Sequence, residues 1–461
     1  FSIIFKNGNF PSQSEQGNGK ATFHLSYIRK VIWLYRILFP IAALISAPHY
    51  LRRMLKRGGY GKNIGMRLGL WPNLPSKKLG IQRIWIQAVS VGEVVSISPL
   101  LKELAVEENI EVVLSCTTST GLHVAQTQHR ENIIALGPFP IDWLPFSSRG
   151  WERIRPDLVA MVDSELWPEH MEQARKRNVP IVILNARLSD RTFSRLGKSG
   201  FLRSLVLPKQ IQVFAASERQ AERWKTVGIA TEKIKVTGNL KLDAEPKPPK
   251  TKEATESLKK EFGFPETDLV LAGISTWPGE EQALVKAFLA ARAQNLTVRL
   301  LIIPRHAERK QEIADGFTRR NSLSVHFRSN GIQALSETDV YVGDTTGELG
   351  SLIRVADLAF VGKTLPPNAG AQNPIEPAAR AIPLLFGPNY QNFQEVCEGL
   401  LALGAAVEVK NQEQLEEQVI RLLGDAKSRR KAGQAARQWK ETHTGATGRT
   451  IEGLMETLKY N

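Results

Sequence analysis

Short apolar segments alternate with segments of helical period through most of this 461-residue chain. Alternation of this kind predicts parallel β-sheets with helices on both faces, because parallel neighbours must be joined by crossover helices. A first set of strands is predicted at residues 84–88, 112–116, 158–162, 181–184, 213–215 and 235–236, and a second at 270–273, 299–304, 340–342, 358–361 and 384–386. The chain is therefore expected to be an α/β protein.

Residues 243–252 separate the two sets of strands and are rich in proline and lysine. They lack an apolar period, which is typical of a linker. The length of the chain also exceeds what one hydrophobic core usually serves. We therefore predict two doubly wound domains, residues 61–242 and 253–461, that face each other across a cleft. The last helix of the chain is a candidate to pack back on the first domain.

The formal net charge of +15 is concentrated near the N-terminus. Residues 1–80 hold 13 Lys and Arg against one acid, whereas residues 81–461 hold 48 basic against 45 acidic residues. A nucleic-acid groove should carry its own basic stripe with stacking aromatic residues. The nearly neutral body of the chain therefore argues against nucleic acid as a partner.

The basic N-terminal segment contains an apolar run at residues 31–45. The run is shorter than the roughly 20 residues of a spanning helix, and Arg36 and Pro40 interrupt it. Aromatic residues beside many cations favour a helix that lies in, or dips into, an anionic membrane surface, with a short span or an ordinary buried helix as the alternatives. We predict a membrane anchor at residues 23–60 and disorder at residues 1–22.

The motif Ser90-Val91-Gly92-Glu93 stands between a predicted strand and a segment of helical period. The order of strand, glycine turn and helix places Glu93 at the carboxyl edge of a sheet, in the first turn of a helix whose free N–H groups attract anions. A carboxylate at that position can take a proton from a bound hydroxyl. Alternatively, Glu93 only complements the helix dipole.

Two further candidates of the first domain follow predicted strands. Glu165 lies in Ser164-Glu165-Leu166-Trp167-Pro168, at the start of a helix, and Lys241 lies just before the linker. Both residues are expected near Glu93, because the carboxyl ends of parallel strands share one edge of the sheet. The alternatives are a helix-start charge for Glu165 and a solvated surface cation for Lys241.

The second domain supplies three loops that are typical of an anion and nucleotide site. An arginine at a strand end can grip phosphate or carboxylate with two donors, and a glycine loop before a helix lets backbone approach an anion. An acid in the first turn of a later helix can accept hydrogen bonds from ribose hydroxyls, or it can only cap that helix. The candidates are Pro304, Arg305, Thr346, Gly347, Glu348, Asn373, Pro374, Ile375 and Glu376.

Seven segments, at residues 90–93, 164–168, 185–189, 238–243, 304–306, 343–349 and 373–377, occur in an order and spacing that resembles the Kdo transferases of lipopolysaccharide synthesis. Kdo is 3-deoxy-D-manno-octulosonic acid. The resemblance extends from about residue 27 to the end of the chain and includes the basic N-terminal segment. It implies a GT-B fold, with two Rossmann-like domains facing across a cleft and an N-terminal membrane-anchoring helix.

The resemblance also implies an activity, which is inverting transfer of Kdo from CMP-Kdo to the lipid A precursor lipid IVA. The expected location is the cytoplasmic face of the bacterial inner membrane, and members of that family need no metal or other cofactor. By position, Glu93 would be the proton acceptor, and Glu165 and Lys241 would stabilise the transition state. The nine candidates of the second domain would contact CMP.

Three residues depart from the family pattern near the expected donor site. Trp277 stands where many members have histidine, Lys363 replaces the second of two glycines, and Gln372 replaces a histidine. These changes bear on donor orientation and sugar identity. The alternative activity is that of another membrane-associated GT-B glycosyltransferase, which would use a UDP-sugar and a different lipid acceptor. A binding protein on an inactive GT-B scaffold is a further alternative.

Overall fold

The computed structural model describes residues 31–48, 52, 63–243, 250–318 and 323–459. The chain divides into two compact units: unit 1 is Phe1–Ala244 with Gly445–Asn461, and unit 2 is Glu245–Thr444. The segment predicted to be disordered, residues 1–22, lies outside the described residues, as does most of the predicted linker.

Unit 1 contains a sheet of seven parallel strands in the order β3-β2-β1-β4-β5-β6-β7. The strands are β1 (Gln82–Ala88), β2 (Ile110–Cys116), β3 (Ala135–Pro138), β4 (Leu158–Val162), β5 (Ile181–Ala186), β6 (Ile211–Ala215) and β7 (Ile234–Val236). Alternate side chains enter different cores: Trp85 packs in one apolar cluster, and its neighbours Ile84 and Ile86 pack in another. Both faces are therefore covered, as a parallel sheet requires.

Helices accompany this sheet along the chain. They are α1 (Val31–Pro48), α2 (Ile64–Arg67), α3 (Val91–Ser96), α4 (Ser98–Leu104), α5 (Ser119–Gln128), α6 (Leu144–Ile154), α7 (Pro168–Arg177), α8 (Asp190–Lys198), α9 (Gly200–Val206) and α10 (Glu218–Thr226). Lys241 lies in a turn of 3-10 helix, Leu240–Leu242, that follows β7.

Unit 2 repeats the arrangement with the strand order β10-β11-β9-β8-β12-β13-β14. The strands are β8 (Leu269–Thr276), β9 (Val298–Pro304), β10 (Val325–Phe327), β11 (Val340–Val342), β12 (Leu358–Val361), β13 (Leu384–Phe386) and β14 (Ala406–Glu408). The helices are α11 (Lys252–Glu261), α12 (Glu280–Ala293), α13 (Lys310–Thr318), α14 (Leu349–Leu352), α15 (Ile375–Ala379), α16 (Gln394–Ala402), α17 (Gln412–Gly424) and α18 (Ala426–Thr442).

Three described strands were absent from the sequence prediction, and each lies at a sheet edge. They are β3, β10 and β14, of four, three and three residues. Edge strands pair on one side only, so their residues need not form a long apolar run. All of the strands predicted from the sequence are present, and the prediction of two doubly wound α/β sheets is confirmed.

Each sheet has one point at which the winding reverses. In unit 1 the chain runs outward from β1 to β2 and β3, and then returns to place β4 on the other side of β1. In unit 2 the corresponding reversal lies between β8 and β12. Loops that leave neighbouring strands in opposite directions open a crevice at such a point, where ligands bind in doubly wound folds.

The last helix, α19 (Ala446–Lys459), belongs to unit 1 rather than to the unit that precedes it in sequence. The hydroxyl of Thr457 donates to Oε1 of Gln212 at 2.8 Å, and Nε of Arg449 donates to the carbonyl of Thr237 at 2.8 Å. A Cβ added at Gly453 would lie 2.5 Å from Cζ of Phe214, so the helix axis approaches the β6 side chains closely.

Helix α1 is the one helix among the described residues with the length and apolar composition to cross a membrane. It runs without a break through Arg36 and Pro40, the two residues that interrupt the apolar run of its sequence. Two contacts explain this continuity: Arg36 is paired with Glu169, and the indole N–H of Trp143 donates to the carbonyl of Arg36 at 2.9 Å. In a helix the carbonyl of Arg36 would accept a hydrogen bond from the N–H of residue 40, but Pro40 has no N–H to donate.

Candidate functional site

Glu93 lies in the first turn of α3, directly beyond the carboxyl end of β1. Its Oε2 accepts a hydrogen bond from the backbone N–H of Val89 at 2.6 Å, and its Oε1 accepts one from the Ser90 hydroxyl at 2.9 Å. These two contacts fix the orientation of the carboxylate. A carboxylate has about four acceptor positions, so others remain for a bound hydroxyl.

The pKa of Glu93 is raised above its ordinary value. Burial is the largest cause, and the charge of Asp163 adds to the increase. The hydrogen bonds from Val89 and Ser90 and the charge of Lys241 act in the opposite direction. A base whose pKa moves toward neutrality holds an abstracted proton better in the transition state while staying ionised at working pH.

Glu165 follows β4, on the other side of the switch point from Glu93. Burial raises the pKa of Glu165 to about 7, and the charges of Glu93 and then Asp163 contribute. Glu93 and Glu165, the two glutamates predicted from the sequence, therefore interact electrostatically. Clusters of carboxylates with perturbed pKa values are typical of functional sites.

Lys241 joins the same group of side chains. Its Nζ lies 4.0 Å from Oδ2 of Asp163, which immediately follows β4. Asp163 was not among the predicted site residues, although it immediately precedes the motif that contains Glu165. The signal for Asp163 is its position, because a carboxylate directly after a buried strand lies at the carboxyl edge of the sheet.

Asn185 connects these groups across β4 and β5. Its Nδ2 donates to Oδ1 of Asp163 at 2.7 Å, and its Oδ1 accepts from the backbone N–H of Leu240 at 3.2 Å. Asp163 and Asn185 both have positive φ angles, 62° and 52°. Such conformations are costly outside glycine and persist where the surroundings enforce them, often at functional sites.

The candidates of unit 2 lie beyond the carboxyl ends of its strands. Pro304 ends β9 and Arg305 follows it, with its backbone N–H bonded to the Thr276 carbonyl at 3.1 Å. The Arg305 side chain is exposed and makes no ion pair within the part of the chain that the structure describes. Its guanidinium is therefore available to an anion.

Glu348 already has a cationic partner. Nε and Nη2 of Arg328 donate to its two carboxylate oxygens at 2.9 and 2.7 Å, and the Thr345 hydroxyl donates to Oε2. Arg328 is the main reason that the pKa of Glu348 lies below its ordinary value. Sequence reasoning did not find Arg328, because Arg328 follows β10 whereas Glu348 follows β11. Thr346 and Gly347, which precede Glu348, are exposed.

Residues Asn373 to Glu376 form the start of α15. Oδ1 of Asn373 accepts from the backbone N–H of Ile375 at 3.0 Å, and Pro374 occupies the N-cap rather than the first helical turn. Ile375 is buried. Burial raises the pKa of Glu376, opposed by Arg380, whose Nη1 lies 4.0 Å from Oε1 of Glu376.

Trp277, Lys363 and Gln372, which were expected to depart from the family pattern, lie near the switch point of unit 2. Nζ of Lys363 lies 4.6 Å from the centre of the Trp277 ring, and the His306 ring lies 5.4 Å from Trp277. Gln372 is bound through its backbone N–H to the carbonyl of Gly362 at 3.0 Å. Trp277 follows β8 and Lys363 follows β12, so this cluster occupies the crevice between those two strands.

Glu280 holds the two switch-point loops of unit 2 together. Its buried carboxylate accepts four backbone N–H bonds, from Trp277 and Lys363 at Oε2 (2.9 and 2.8 Å) and from Thr364 and Leu365 at Oε1 (2.9 and 3.1 Å). Burial raises the pKa of Glu280 and the four N–H groups oppose the rise. Glu280 was not predicted as a site residue.

No group of three or more His, Cys, Asp or Glu side chains suited to a metal ion occurs among the described residues.

Two parallel doubly wound sheets, each with polar and charged groups at its switch point, define a GT-B-like α/β protein. The fold is similar to that of UDP-GlcNAc 2-epimerase from Neisseria meningitidis, with a TM-score of 0.55 and 14% identity over 81% of this chain and all of that chain. Residues 62–244 match the family described as 3-Deoxy-D-manno-octulosonic-acid transferase (kdotransferase).

The similarity to individual transferases covers much more of the chain. The chain is 30% identical over 422 residues to the 3-deoxy-D-manno-octulosonic acid transferase of Haemophilus influenzae, and the match covers 90% of this chain and 94% of that protein. It is 28% identical over 383 residues to the Bordetella pertussis enzyme of the same name, covering 81% and 87%. The chain belongs to the Kdo transferase family and is a glycosyltransferase, as its motifs predicted.

Proposed function

We propose that this protein transfers Kdo from CMP-Kdo to a lipid A precursor, lipid IVA, with inversion and without a metal ion. The observation that carries the proposal is the group formed by Glu93, Asp163, Glu165 and Lys241 at the switch point of unit 1. Family membership supports the sugar, and the raised pKa of Glu93 supports its role as a base. The identities of the nucleotide that carries the sugar and of the lipid acceptor are proposed here as well.

In the proposed step, a hydroxyl oxygen of the acceptor attacks the anomeric carbon of Kdo. The bond from that carbon to the phosphate oxygen of CMP breaks, and CMP leaves with the electron pair. Glu93 accepts the hydroxyl proton as the new glycosidic bond forms. Removing the proton as the oxygen attacks lowers the barrier, and a positioned base typically contributes 10²- to 10⁴-fold.

Two kinds of charge assist this step. Lys241 and Glu165 lie beside the base, where a cation and a carboxyl group can offset the charge that shifts between acceptor and sugar. In unit 2, the exposed Arg305 would bind the CMP phosphate. Pro304, Thr346, Gly347, Glu348, Asn373, Pro374, Ile375 and Glu376 complete the proposed CMP contacts.

Glu348 and Glu376 constrain how CMP would bind. The carboxylate of Glu348 is paired with Arg328, so it offers a nucleotide only its remaining acceptor positions. Glu376 lies 4.0 Å from Arg380 and keeps more of its carboxylate free, which favours Glu376 as the acceptor for ribose hydroxyls.

We place the reaction at the cytoplasmic face of the bacterial inner membrane. The apolar helix α1 and the 13 cations of residues 1–80 support a membrane location, because basic segments beside apolar helices stay on the cytoplasmic side. Both CMP-Kdo and the saccharide end of the lipid would be accessible there.

The test is turnover of lipid IVA with CMP-Kdo in detergent and EDTA, followed by the mass of the lipid product. We expect added Kdo units with the wild-type protein and a loss of at least 100-fold in kcat for Glu93→Gln. The matched control is Glu218→Gln, because Glu218 also lies in the first helical turn after a strand of unit 1 but is exposed. If both variants lose the same activity, Glu93 acts only on helix stability.

Two outcomes would each overturn one part of the proposal. Turnover of a UDP-sugar but not of CMP-Kdo would establish the alternative glycosyltransferase. If Glu93→Gln retained full activity on lipid IVA, the substrate assignment would stand but Glu93 would be excluded as the base.

A further inference from the structure

We propose that α1 lies along the membrane surface as an in-plane anchor and does not cross the bilayer. The partner is a lipid surface with anionic headgroups. The inference rests on the membrane association in the proposed function, but it does not depend on the transfer reaction. Its basis is the way in which α1 is attached to unit 1.

Three contacts hold the second turn of α1 against unit 1. Nε and Nη2 of Arg36 donate to the two oxygens of Glu169 at 2.8 and 2.9 Å, and both side chains are at least 94% buried. The hydroxyl of Tyr35 donates to Oδ2 of Asp142 at 2.6 Å. The Trp143 indole donates to the Arg36 carbonyl.

The Trp143 contact depends on Pro40. In an uninterrupted helix the carbonyl of residue 36 would accept from the N–H of residue 40. Proline has no N–H, so this carbonyl is left free within the helix. Trp143 satisfies it from unit 1, which turns a local defect of the helix into a point of attachment.

The apolar sequence between the attached Arg36 and the cations that begin at Arg52 is too short to span a bilayer. Even if all of residues 37–51 were helical, they would extend about 22 Å at 1.5 Å per residue. The hydrocarbon core of a bilayer is about 30 Å thick. A spanning arrangement would therefore have to draw Arg36 and Glu169 into the hydrocarbon or break their ion pair, and both are costly.

The unattached side of α1 has the pattern of an interfacial helix. Trp33, Ile37, Ile41, Leu44 and Ile45 are each more than half exposed, and they occupy one arc of the helix. The buried residues of α1, namely Val31, Ile32 and Arg36, lie on the other side. An exposed apolar arc of this kind enters the boundary between headgroups and acyl chains.

Charge complementarity selects a lipid surface over a second copy of this chain as the occupant. Residues 1–80, the part of the sequence that contains α1, carry 13 cations and one acid, so a second copy would bring a segment of the same charge. An anionic leaflet would instead attract the juxtamembrane cations.

The experiment is a nitroxide scan of the full chain on vesicles of phosphatidylethanolamine and phosphatidylglycerol. Single cysteines are introduced at positions 37 to 48, with the wild-type protein as the labelling control because Cys116 and Cys397 are buried. Accessibility to oxygen and to a water-soluble nickel complex reports depth. We expect depth to vary with a period of about 3.6 residues, greatest at Ile37, Ile41, Leu44 and Ile45 and least at Ala42 and Ser46.

A steady change of depth along residues 37–48, regardless of helix face, would show a spanning helix and overturn the inference. Spin coupling between copies, without oxygen accessibility, would show a dimer face and also overturn it. Failure of the protein to bind vesicles would remove both this inference and the membrane location, whereas the lipid IVA assay in detergent would still test the transfer reaction.

The attachment is tested separately with Glu169→Gln. We expect the periodic depth pattern to be lost, and the charge exchange Arg36→Glu with Glu169→Arg to restore it. The matched control is Arg437→Gln, which breaks an exposed ion pair with Glu441 and should leave the pattern unchanged. If Glu169→Gln does not fold, Tyr35→Phe removes a neighbouring contact more gently. An unaltered pattern in Glu169→Gln, or in Tyr35→Phe where that variant replaces it, would exclude the attachment.

Discussion

Nζ of Lys241 lies 4.0 Å from Oδ2 of Asp163, and this pair flanks the proposed base with one charge of each sign. Asp163 raises the pKa of Glu93, whereas Lys241 lowers it. The balance between the two neighbours, together with burial, sets the pH at which Glu93 becomes ionised. Since only the ionised form can accept a proton, this balance also sets the acid limb of the activity profile.

We therefore expect kcat/KM to fall as the pH is lowered through the raised pKa of Glu93. Asp163→Asn removes a negative neighbour, which stabilises the ionised base and shifts the acid limb to lower pH. Lys241→Met removes a positive neighbour and shifts the limb to higher pH. The measurement is a pH profile of kcat/KM for each variant. If the acid limb shifted in the same direction in both variants, the electrostatic coupling would be contradicted.

The raised pKa of Glu165 predicts that the folding stability depends on pH. Its pKa is raised to about 7, so the folded state binds the Glu165 proton more tightly than the unfolded state does. Folding stability is then unaffected at pH 4, falls as the pH rises from about 4.5 to about 7, and stays at its lower value above that range. Glu165→Gln should raise the free energy of unfolding at pH 8.5 by on the order of 1–3 kcal/mol, while lowering activity.

The measurement for Glu165 is urea unfolding of the wild type and Glu165→Gln at pH 4 and pH 8.5. The exposed Glu218→Gln serves as the control and should show no such difference. If Glu165→Gln and the wild type were equally stable at pH 8.5, burial and the neighbouring carboxylates would not destabilise ionised Glu165.

The strand pattern of this chain was largely predictable, because the central strands are rich in apolar residues. Glu93, Glu165 and Lys241 could be grouped because each follows a strand of one sheet. The edge strand β10, with the sequence Val-His-Phe, could not be recognised, since three residues paired on one side need little hydrophobicity.

Partners brought together from distant segments were beyond sequence reasoning. Arg328 and Glu348 are separated by a strand connection, and only the fold shows that they form a bidentate pair. The contact that accommodates Pro40 within α1 was also missed, because the donor to the Arg36 carbonyl is Trp143, more than a hundred residues away. Local patterns predict local structure, and such long-range compensation leaves no periodic signal.

Glu280 should be a major stabilising residue of unit 2. Glu280→Ala leaves four N–H groups of the switch-point loops without their acceptor, and we expect a loss of on the order of 2–4 kcal/mol in the free energy of unfolding. The affinity for CMP should fall as well, because the loops lose their relative position. Glu308→Ala, at an exposed position, is the control.

Chemical unfolding and calorimetric titration with CMP measure the two effects of Glu280→Ala. Normal stability with normal CMP affinity would show that the four hydrogen bonds contribute little to the site.

The contact between Lys363 and Trp277 predicts a coupled effect on donor binding. The Trp277 ring holds the ammonium group at the switch point of unit 2, where it would add to the attraction of Arg305 for the CMP phosphate. Lys363→Met should raise KM for the donor about two- to five-fold, with little change in kcat, because the contact is the same in the ground and transition states.

Trp277→Leu should have a similar effect, since it releases the Lys363 ammonium from its position. The double variant should be no worse than either single variant, because each substitution removes the same positioned charge. Lys286→Met, an exposed lysine on α12, is the matched control and should leave KM unchanged. Steady-state kinetics with varied donor measure all four proteins, and effects that add in the double variant would show that Trp277 and Lys363 act independently.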